Sequence, residues 1–260
     1  MDQPLPRTRL YCAQPLAADR TVRLDPSAAH RLKSVLRLKQ GDGLRIFNAE
    51  CGEWLCQLAE LGKKHAIVTP RRQIRAPEPA ADALWLLFAP LKKDAMDVLI
   101  EKAVELGVDR LLPTITAHTD VARINAARLQ AQAIAATEQS ERLSVPPIEA
   151  PVRLADRTEG WPADRPLIVC AEGGPAKPIA DLARMFAGGP TAIMIGPEGG
   201  LAKSELDALG KLPFSHAAGL GPRVLRAETA AIAALAIWQS VAGADQSLAG
   251  ADKQRPPFRS

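Results

Sequence analysis

Two stretches decide the fold of this 260-residue chain: Ile195-Gly-Pro-Glu-Gly-Gly-Leu201 and Gly219-Leu-Gly-Pro-Arg-Val-Leu-Arg-Ala-Glu-Thr-Ala230. Each follows an apolar stretch and leads into a helical pattern, which predicts a turn between a strand and a helix. Both loops carry charged side chains: Glu198 in the first, and Arg223, Arg226 and Glu228 in the second. A single glycine loop is explained by a helix cap or a tight turn. Two such loops that both carry charges are harder to explain in this way, because an unpaired charge is costly at a buried strand end. The pair of loops therefore predicts a small-molecule site.

Neither loop fits the two best-known glycine fingerprints. A phosphate loop needs Lys-Ser directly after its last glycine, whereas Leu201 and Ala202 separate Gly200 from Lys203-Ser204 here. The dinucleotide fingerprint Gly-x-Gly-x-x-Gly is absent, and the loops lie late in the chain instead of after the first strand. A nucleoside triphosphatase and a nicotinamide enzyme are therefore disfavoured. The remaining interpretation is that the loops bind a ligand through backbone groups at the carboxyl ends of parallel strands.

Strands and helices alternate in the segment that leads to these loops. Apolar runs predict strands, and stripes at helical spacing predict helices between them. The predicted strands are 83–89, 110–115, 167–170, 191–195 and 214–216, and the main helices are 94–106, 125–142 and 228–241. This alternation predicts an α/β domain over 83–245 with a mostly parallel sheet covered on both faces.

The chain before this domain has a different pattern. Short β-rich segments at 44–48, 53–58 and 66–69 are bounded by turn residues, and one helix begins with Asp25 as N-cap and Pro26 as first residue. These features predict a small β-barrel domain over 1–74, followed by a proline-bearing linker over 75–82. The polar segment 246–260 is expected to be a loosely held tail.

Charge and composition narrow the function. The net charge of +4 divides into +7 over residues 1–75 and −3 over 76–260, which favours a polyanion such as nucleic acid as partner of the first domain. Four cysteines and four histidines show no spacing for a metal site or a catalytic triad. The chain has no apolar run near the ~18 residues of a membrane helix and no secretion signal, so we expect a cytoplasmic protein.

The glycine loops are similar to those of the bacterial 16S rRNA uracil-N3-methyltransferase family, RsmE type, of the SPOUT superfamily. The segment Ala136-Thr-Glu-Gln-Ser-Glu-Arg142 resembles the Glu-Gln-x-x-Arg signature of that family. Further matches lie at 35–39 with 41–42, at 91–97 and at 102–107, so the resemblance covers most of the chain.

The resemblance implies a PUA-like β-barrel, an α/β domain with a deep trefoil knot, and a homodimer. It also implies that S-adenosylmethionine is bound in the knotted loops and that its methyl group passes to N3 of one uridine in small-subunit rRNA. The residues it assigns to the cofactor are Glu172, Ile195, Gly196, Pro197, Glu198, Gly199, Leu220, Gly221, Val224, Leu225, Glu228 and Thr229.

Transfer of a methyl group to N3 requires removal of the N3 proton. Arg226 is the candidate that neutralises charge on a uracil oxygen, and Glu138 or Glu198 is the candidate base. For Glu138 an ordinary surface charge paired with Arg142 at i,i+4 stays equally open. The residues expected to contact RNA are Arg7, Arg9, Lys33, Arg37, Lys39, Lys92, Arg142 and Arg223. Two alternatives stay open: another target, such as a ribose 2′-hydroxyl, and an RNA-binding module without catalysis.

Overall fold

Two sheets organise the protein in the computed structural model, which describes residues 5–78, 82–120, 123–171 and 173–248. The described chain divides into two compact units. The first is drawn from residues up to 80 together with Thr137–Val145, and the second from the rest. The domain limits 1–74 and 83–245 stay predictions, but 137–145 joins the first unit although it lies far along the sequence.

The first unit contains a mixed five-stranded sheet in the order β1-β3-β4-β5-β2. Its strands are β1 Arg9–Tyr11, β2 Val22–Leu24, β3 Gly43–Asn48, β4 Gly52–Leu61 and β5 Ala66–Arg75. β1 runs parallel to β3, and the other ladders are antiparallel. The edge strands β1 and β2 form no ladder with each other in the described residues, so the predicted barrel is an open, curled half-barrel.

A row of aliphatic side chains fills the concave core of this sheet. Leu44 and Ile46 of β3, Leu58 of β4 and Val68 of β5 are fully buried, as the two-residue period of a strand requires. Helix α1, Pro26–His30, begins as predicted: the Asp25 carboxylate accepts a hydrogen bond from the Ala28 N–H at 2.9 Å. The helix continues as a π-helical turn over Arg31–Val35.

The second unit contains a fully parallel sheet in the order β10-β12-β9-β11-β6-β7-β8, which confirms the predicted α/β class. Its strands are β6 Leu84–Phe88, β7 Arg110–Ile115, β8 Val152–Arg153, β9 Leu167–Cys170, β10 Lys177–Pro178, β11 Thr191–Ile195 and β12 Ser215–Gly219. The helices are α2 Lys93–Glu105, α3 Ala126–Gln139, α4 Leu154–Thr158, α5 Ile179–Met185, α6 Lys203–Leu209 and α7 Ala227–Leu248.

Several element limits differ from the prediction. In the first unit, β4 and β5 extend to Leu61 and Arg75, beyond the predicted ends at 58 and 69. Helix α3 ends at Gln139 instead of 142, and Glu141 adopts a left-handed φ of 60° that no helix accommodates. Strand β12 continues to Gly219. Helix α7 extends to Leu248, so the start of the expected tail is helical, while 249–260 lie outside the described residues.

A buried arginine holds the amino-terminal ends of β6 and β11. The Arg165 guanidinium, whose side chain is 6% exposed, donates to the carbonyl oxygens of Asp82, Ala83 and Thr191 at 2.7, 3.1 and 3.3 Å. It also lies 3.7 Å from the ring centroid of Trp85. Desolvation by burial lowers the pKa of Arg165 below its ordinary value, and the charge of Asp82 opposes that shift. Within the described ranges, no helix is both long and apolar enough to cross a membrane.

Candidate functional site

Three loops of the second unit meet at one edge of its sheet. They follow β9, β11 and β12, which are neighbours in the order β12-β9-β11 and run parallel, so their carboxyl ends lie side by side. The loops enclose a cavity of about 420 Å³. Cavities of roughly 300–1,000 Å³ at this edge of an open parallel sheet are typical of small-molecule sites.

The cavity brings together most of the residues that the resemblance assigned to a cofactor. Those that line it are Ile195, Gly196, Pro197, Gly199, Leu220, Gly221, Val224 and Leu225, together with Arg223. Glu198 lies in the first glycine loop, Glu228 and Thr229 lie in the first turn of α7, and none of the three lines the cavity. Glu172 lies outside the described residues. The lining residues that the sequence did not single out are Cys170, Ala171, Gly173, Gly174, Gly200, Leu201, Leu206, Ala227 and Ala230.

The backbone at Gly221 has a conformation that other residues rarely adopt. Its φ is +111°, and a Cβ atom built there would have no protein atom within 4 Å. Glycine is therefore required by the backbone and not by crowding. At Gly199, by contrast, a Cβ atom would lie 3.4 Å from Cβ of His118, so the His118 side chain bounds the loop there.

Two side chains of the same unit fix the loop after β11. Nδ1 of His118 lies 3.2 Å from the carbonyl oxygen of Gly199 and 3.0 Å from that of Gly200, so it carries the proton and donates. The Glu205 carboxylate accepts from the N–H groups of Ala117 and Ala202 at 2.8 and 2.9 Å. Glu205 was not among the predicted residues, although its position at the start of a helix just after the glycine loop is a signal for this role.

Charged side chains of the two glycine loops stand exposed beside the cavity. Arg223 and Arg226, on either side of Val224, are exposed, and so is Glu198. In the part of the chain that the structure describes, no side chain pairs with any of the three. Glu228 differs: its Oε2 atom is buried and has no hydrogen-bond partner among the described residues.

Cys170 is the one thiol in the lining. Desolvation raises its pKa to about 12, so the sulfur is a neutral thiol at physiological pH. Nucleophilic attack requires the thiolate. The cavity is therefore suited to binding a ligand and not to covalent chemistry at this cysteine.

Two of the predicted functional residues lie in a buried network of the first unit instead. The Glu138 carboxylate pairs with Arg31 and accepts a hydrogen bond from the Tyr11 N–H at 3.0 Å, so its partner is Arg31 and not the predicted Arg142, while its role as base stays a prediction. Glu138 is 6% exposed and does not line the cavity.

Arg9 was predicted to bind RNA phosphates, but its side chain is 3% exposed. It pairs with Glu53 at 3.1 Å and donates to the carbonyl oxygens of Thr137, Glu138 and Arg142 at 3.0, 3.4 and 2.7 Å. Its guanidinium also lies 3.4 Å from the centroid of the Phe47 ring. All three guanidinium nitrogens have acceptors inside the first unit and the side chain is buried, so Arg9 stabilises that unit and is closed to a phosphate.

The remaining predicted RNA contacts differ in exposure. Arg142 is half-buried. The exposed ones are Arg7, Lys33, Arg37, Lys39, Lys92 and Arg223.

Within the described residues, no group of three or more His, Cys, Asp or Glu side chains could hold a metal ion.

Comparison with known proteins agrees with this geometry. The RNA methyltransferase domain family matches residues 78–239, and the RNA methyltransferase PUA domain family matches residues 24–71. The chain is 34% identical to ribosomal RNA small subunit methyltransferase E of Rickettsia conorii, over 88% of this chain and 93% of that protein. It is 31% identical to the Synechocystis protein of the same name, over 88% and 76%.

Solved structures show the same fold. The Neisseria gonorrhoeae ribosomal RNA small subunit methyltransferase E, bound to S-adenosyl methionine, superposes with a TM-score of 0.79 at 27% identity, over 90% of this chain and 97% of that one. A putative methyltransferase of Legionella pneumophila, in complex with the same cofactor, gives 0.82 at 28% identity, over 91% and 98%.

Proposed function

The chain belongs to the RNA methyltransferase family that includes ribosomal RNA small subunit methyltransferase E, and on that premise we propose that it transfers a methyl group from S-adenosylmethionine to N3 of one uridine in 16S rRNA. The observation that carries the proposal is the cavity at the carboxyl ends of β12, β9 and β11, which both glycine loops line.

The residues around this cavity fit the cofactor. About 420 Å³ accommodates a nucleoside with an amino-acid arm. Leu220 and Leu225 offer apolar faces for an adenine, and Gly196, Gly199 and Gly221 let the main chain approach it closely. Glu228 and Thr229 begin the helix that follows, and Glu172 is proposed for a ribose hydroxyl. When bound, S-adenosylmethionine supplies a methyl group on a positively charged sulfur, which an in-line nucleophile removes.

Arg226 is proposed to stabilise the charge that develops on the uracil. Loss of the N3 proton leaves negative charge on N3 and the neighbouring carbonyl oxygens. A guanidinium that no protein carboxylate neutralises is free to donate to such an oxygen. Arg226 meets that condition among the described residues, and it lies in the loop that also lines the cavity.

We assign the base to Glu198 in preference to Glu138. Glu198 is exposed in the first glycine loop, whereas Arg31 and the Tyr11 N–H already occupy the carboxylate of Glu138. Glu198 would accept the N3–H proton, which frees the N3 lone pair for the methyl group that the bound cofactor would supply. Glu198→Gln is expected to slow single-turnover transfer at least tenfold.

The partners follow from the same premise. Exposed cations of the first unit, among them Arg7, Lys33, Arg37 and Lys39, are proposed to hold rRNA phosphates. A homodimer and a cytoplasmic location are proposed from the resemblance to the family. Sedimentation equilibrium on the purified chain tests the dimer.

Product analysis tests the function. The purified protein is incubated with small ribosomal subunits from a strain that lacks it, and the methylated nucleoside is mapped by mass spectrometry. One uridine methylated at N3 is expected. A methyl group on ribose, or none, overturns the proposal.

The assignment of Arg226 has its own test. Arg226→Ala is expected to lower the single-turnover rate by about 100-fold at saturating cofactor. Arg184→Ala serves as matched control, because Arg184 is an exposed arginine of the same unit that pairs with Asp181 on α5. Equal rates for wild type and Arg226→Ala would remove Arg226 from the reaction.

A further inference from the structure

Two aliphatic side chains stand exposed at the end of the π-helical turn. Val35 is 65% exposed and Leu36 is 39% exposed. The buried face of the same segment is already complete, because Ala29 and Leu32 are fully buried in the core of the first unit. The core therefore does not account for Val35 and Leu36.

The sequence around this pair is basic, and the first carboxylate that follows it, that of Asp42, accepts a hydrogen bond from the Lys39 backbone N–H at 2.7 Å. Lys33, Arg37 and Lys39 are all exposed, and the sequence contains no acidic residue from 31 to 41. Arg37 has a left-handed φ of 56°, an uncommon conformation for a non-glycine residue, at the point where the chain turns after Leu36. We call Val35 and Leu36 with these three cations the basic tip.

The charge of the basic tip selects its occupant. A second copy of the chain docked here about a two-fold axis would place the same cations against one another, which like-charge repulsion disfavours. A polyanion with apolar faces fits both features at once. RNA is such a molecule, since phosphates lie along its backbone and unpaired bases expose their faces.

We propose that the basic tip is a wedge for rRNA, in which Val35 and Leu36 pack against base faces while Lys33, Arg37 and Lys39 hold the flanking phosphates. The inference rests on the proposed function and goes beyond it by separating two kinds of contact. Aliphatic wedges that contact or separate bases are known among nucleic-acid-binding proteins. Burial of an apolar side chain releases no counterions, so the two contacts have different dependence on salt.

The experiment measures binding of the full-length protein to small ribosomal subunits at several salt concentrations. Val35→Ser with Leu36→Ser is expected to weaken binding roughly tenfold at every salt concentration without changing the log–log slope. Lys33→Ala with Lys39→Ala is expected to lower the magnitude of that slope by about 1.5. Met185→Ser is the matched control, because Met185 is 56% exposed on α5 of the second unit, and wild-type affinity is expected.

Three further measurements keep the test decisive. Calorimetry with S-adenosylmethionine is expected to give wild-type affinity for every variant, which shows that the second unit is folded. The single variant Val35→Ser removes only a solvent-exposed methyl pair and covers the case in which the double variant does not fold; a loss of about threefold in binding is expected. If the serine variants bind with wild-type affinity, the wedge proposal is wrong. It is also wrong if the variants change the oligomeric state, because Val35 and Leu36 would then belong to an interface between two copies of the chain. Absence of rRNA methylation by the wild-type protein instead refutes the proposed function.

Discussion

Replacement of Arg9 by methionine is the sharpest test of the buried network in the first unit. The change removes the ion pair with Glu53 at 3.1 Å, three hydrogen bonds to carbonyl oxygens and the contact with Phe47. Methionine keeps the apolar volume of the stem but offers no donor. The three carbonyl groups and part of a carboxylate then stay buried without that partner.

The magnitude follows from what Glu53 retains. Loss of one partner from a buried ion pair costs about 3–5 kcal/mol. Arg45 and Arg75 still lie 3.0 and 3.5 Å from the Glu53 carboxylate, so its charge stays partly compensated. We therefore expect a destabilisation of the first unit by about 3 kcal/mol, at the lower end of that range.

Hydrogen exchange measured by peptide is the suitable assay, because the two units need not unfold together. Exchange in β1, β3 and the segment 137–145 is expected to quicken by about two powers of ten, with smaller changes in β6 and β11. Arg71→Met is the control: its pair with Asp19 at 2.6 Å is exposed on both sides, so a change below about 1 kcal/mol is expected. Equal exchange in the Arg9 and Arg71 variants would refute the network.

Three other predictions follow from single sites in the second unit. Gly221→Val forces a φ of +111° on a branched residue and is expected to weaken S-adenosylmethionine binding at least tenfold by calorimetry with an unchanged circular dichroism spectrum, whereas wild-type affinity would contradict the role of this turn. Arg165→Ala removes one donor from each of three carbonyl oxygens, of which that of Ala83 still accepts from the Thr191 N–H at 2.7 Å, and it is expected to lower the free energy of unfolding of the second unit by about 3 kcal/mol in urea titrations. A change below about 1 kcal/mol would contradict the role of Arg165 in holding the ends of β6 and β11. Desolvation, and secondarily the charge of Lys177, lowers the pKa of His216 from 6.5 in the folded protein. The unfolded chain therefore binds that proton more tightly, and the stability falls as the pH drops below about 6.5. His216→Gln is expected to flatten this part of the stability profile, and an unaltered profile would exclude His216 as its cause.

The sequence predicted the second unit better than the first because the signals there are local. β7, β9 and β11 have the predicted limits, since each is an apolar run bounded by polar residues or turns. β1 and β2 have only three residues each, and β1 pairs with residues 36 positions away, Arg9 with Arg45. A strand of three residues is too short to show the two-residue alternation of apolar and polar side chains. The knot rests on the resemblance alone, because the threading of a chain leaves no mark on its hydrophobic pattern.

The same difference between local and long-range signals decides which parts of the candidate site could be predicted from the sequence. The glycine loops could be predicted because a loop that follows a strand in sequence also follows it in space. The roles of Arg9 and Glu138 could not, because whether a charge is buried depends on its tertiary partners. Glu53 lies 44 residues from Arg9, and Glu138 lies 107 residues from Arg31.

This division changes what the basic excess of the first unit means. Arg9, Arg31, Arg45 and Arg75 all pair with carboxylates of Glu53, Glu138 or Glu141 inside that unit. Their charge stabilises the fold and releases no counterion when RNA binds.

Among the predicted RNA contacts, the exposed cations are Arg7, Lys33, Arg37 and Lys39 of the first unit and Lys92 and Arg223 of the second. If all of them contact phosphates, the log–log salt slope for rRNA binding has a magnitude of about 4–5, at roughly 0.7–0.9 per contact. A slope near 7 requires about two more phosphate contacts, which come either from other exposed cations of the first unit, such as Arg20 and Lys63, or from the buried Arg9 and the half-buried Arg142. In the second case the first unit has to open when it binds RNA, which hydrogen exchange in β1 would reveal as lost protection in the complex.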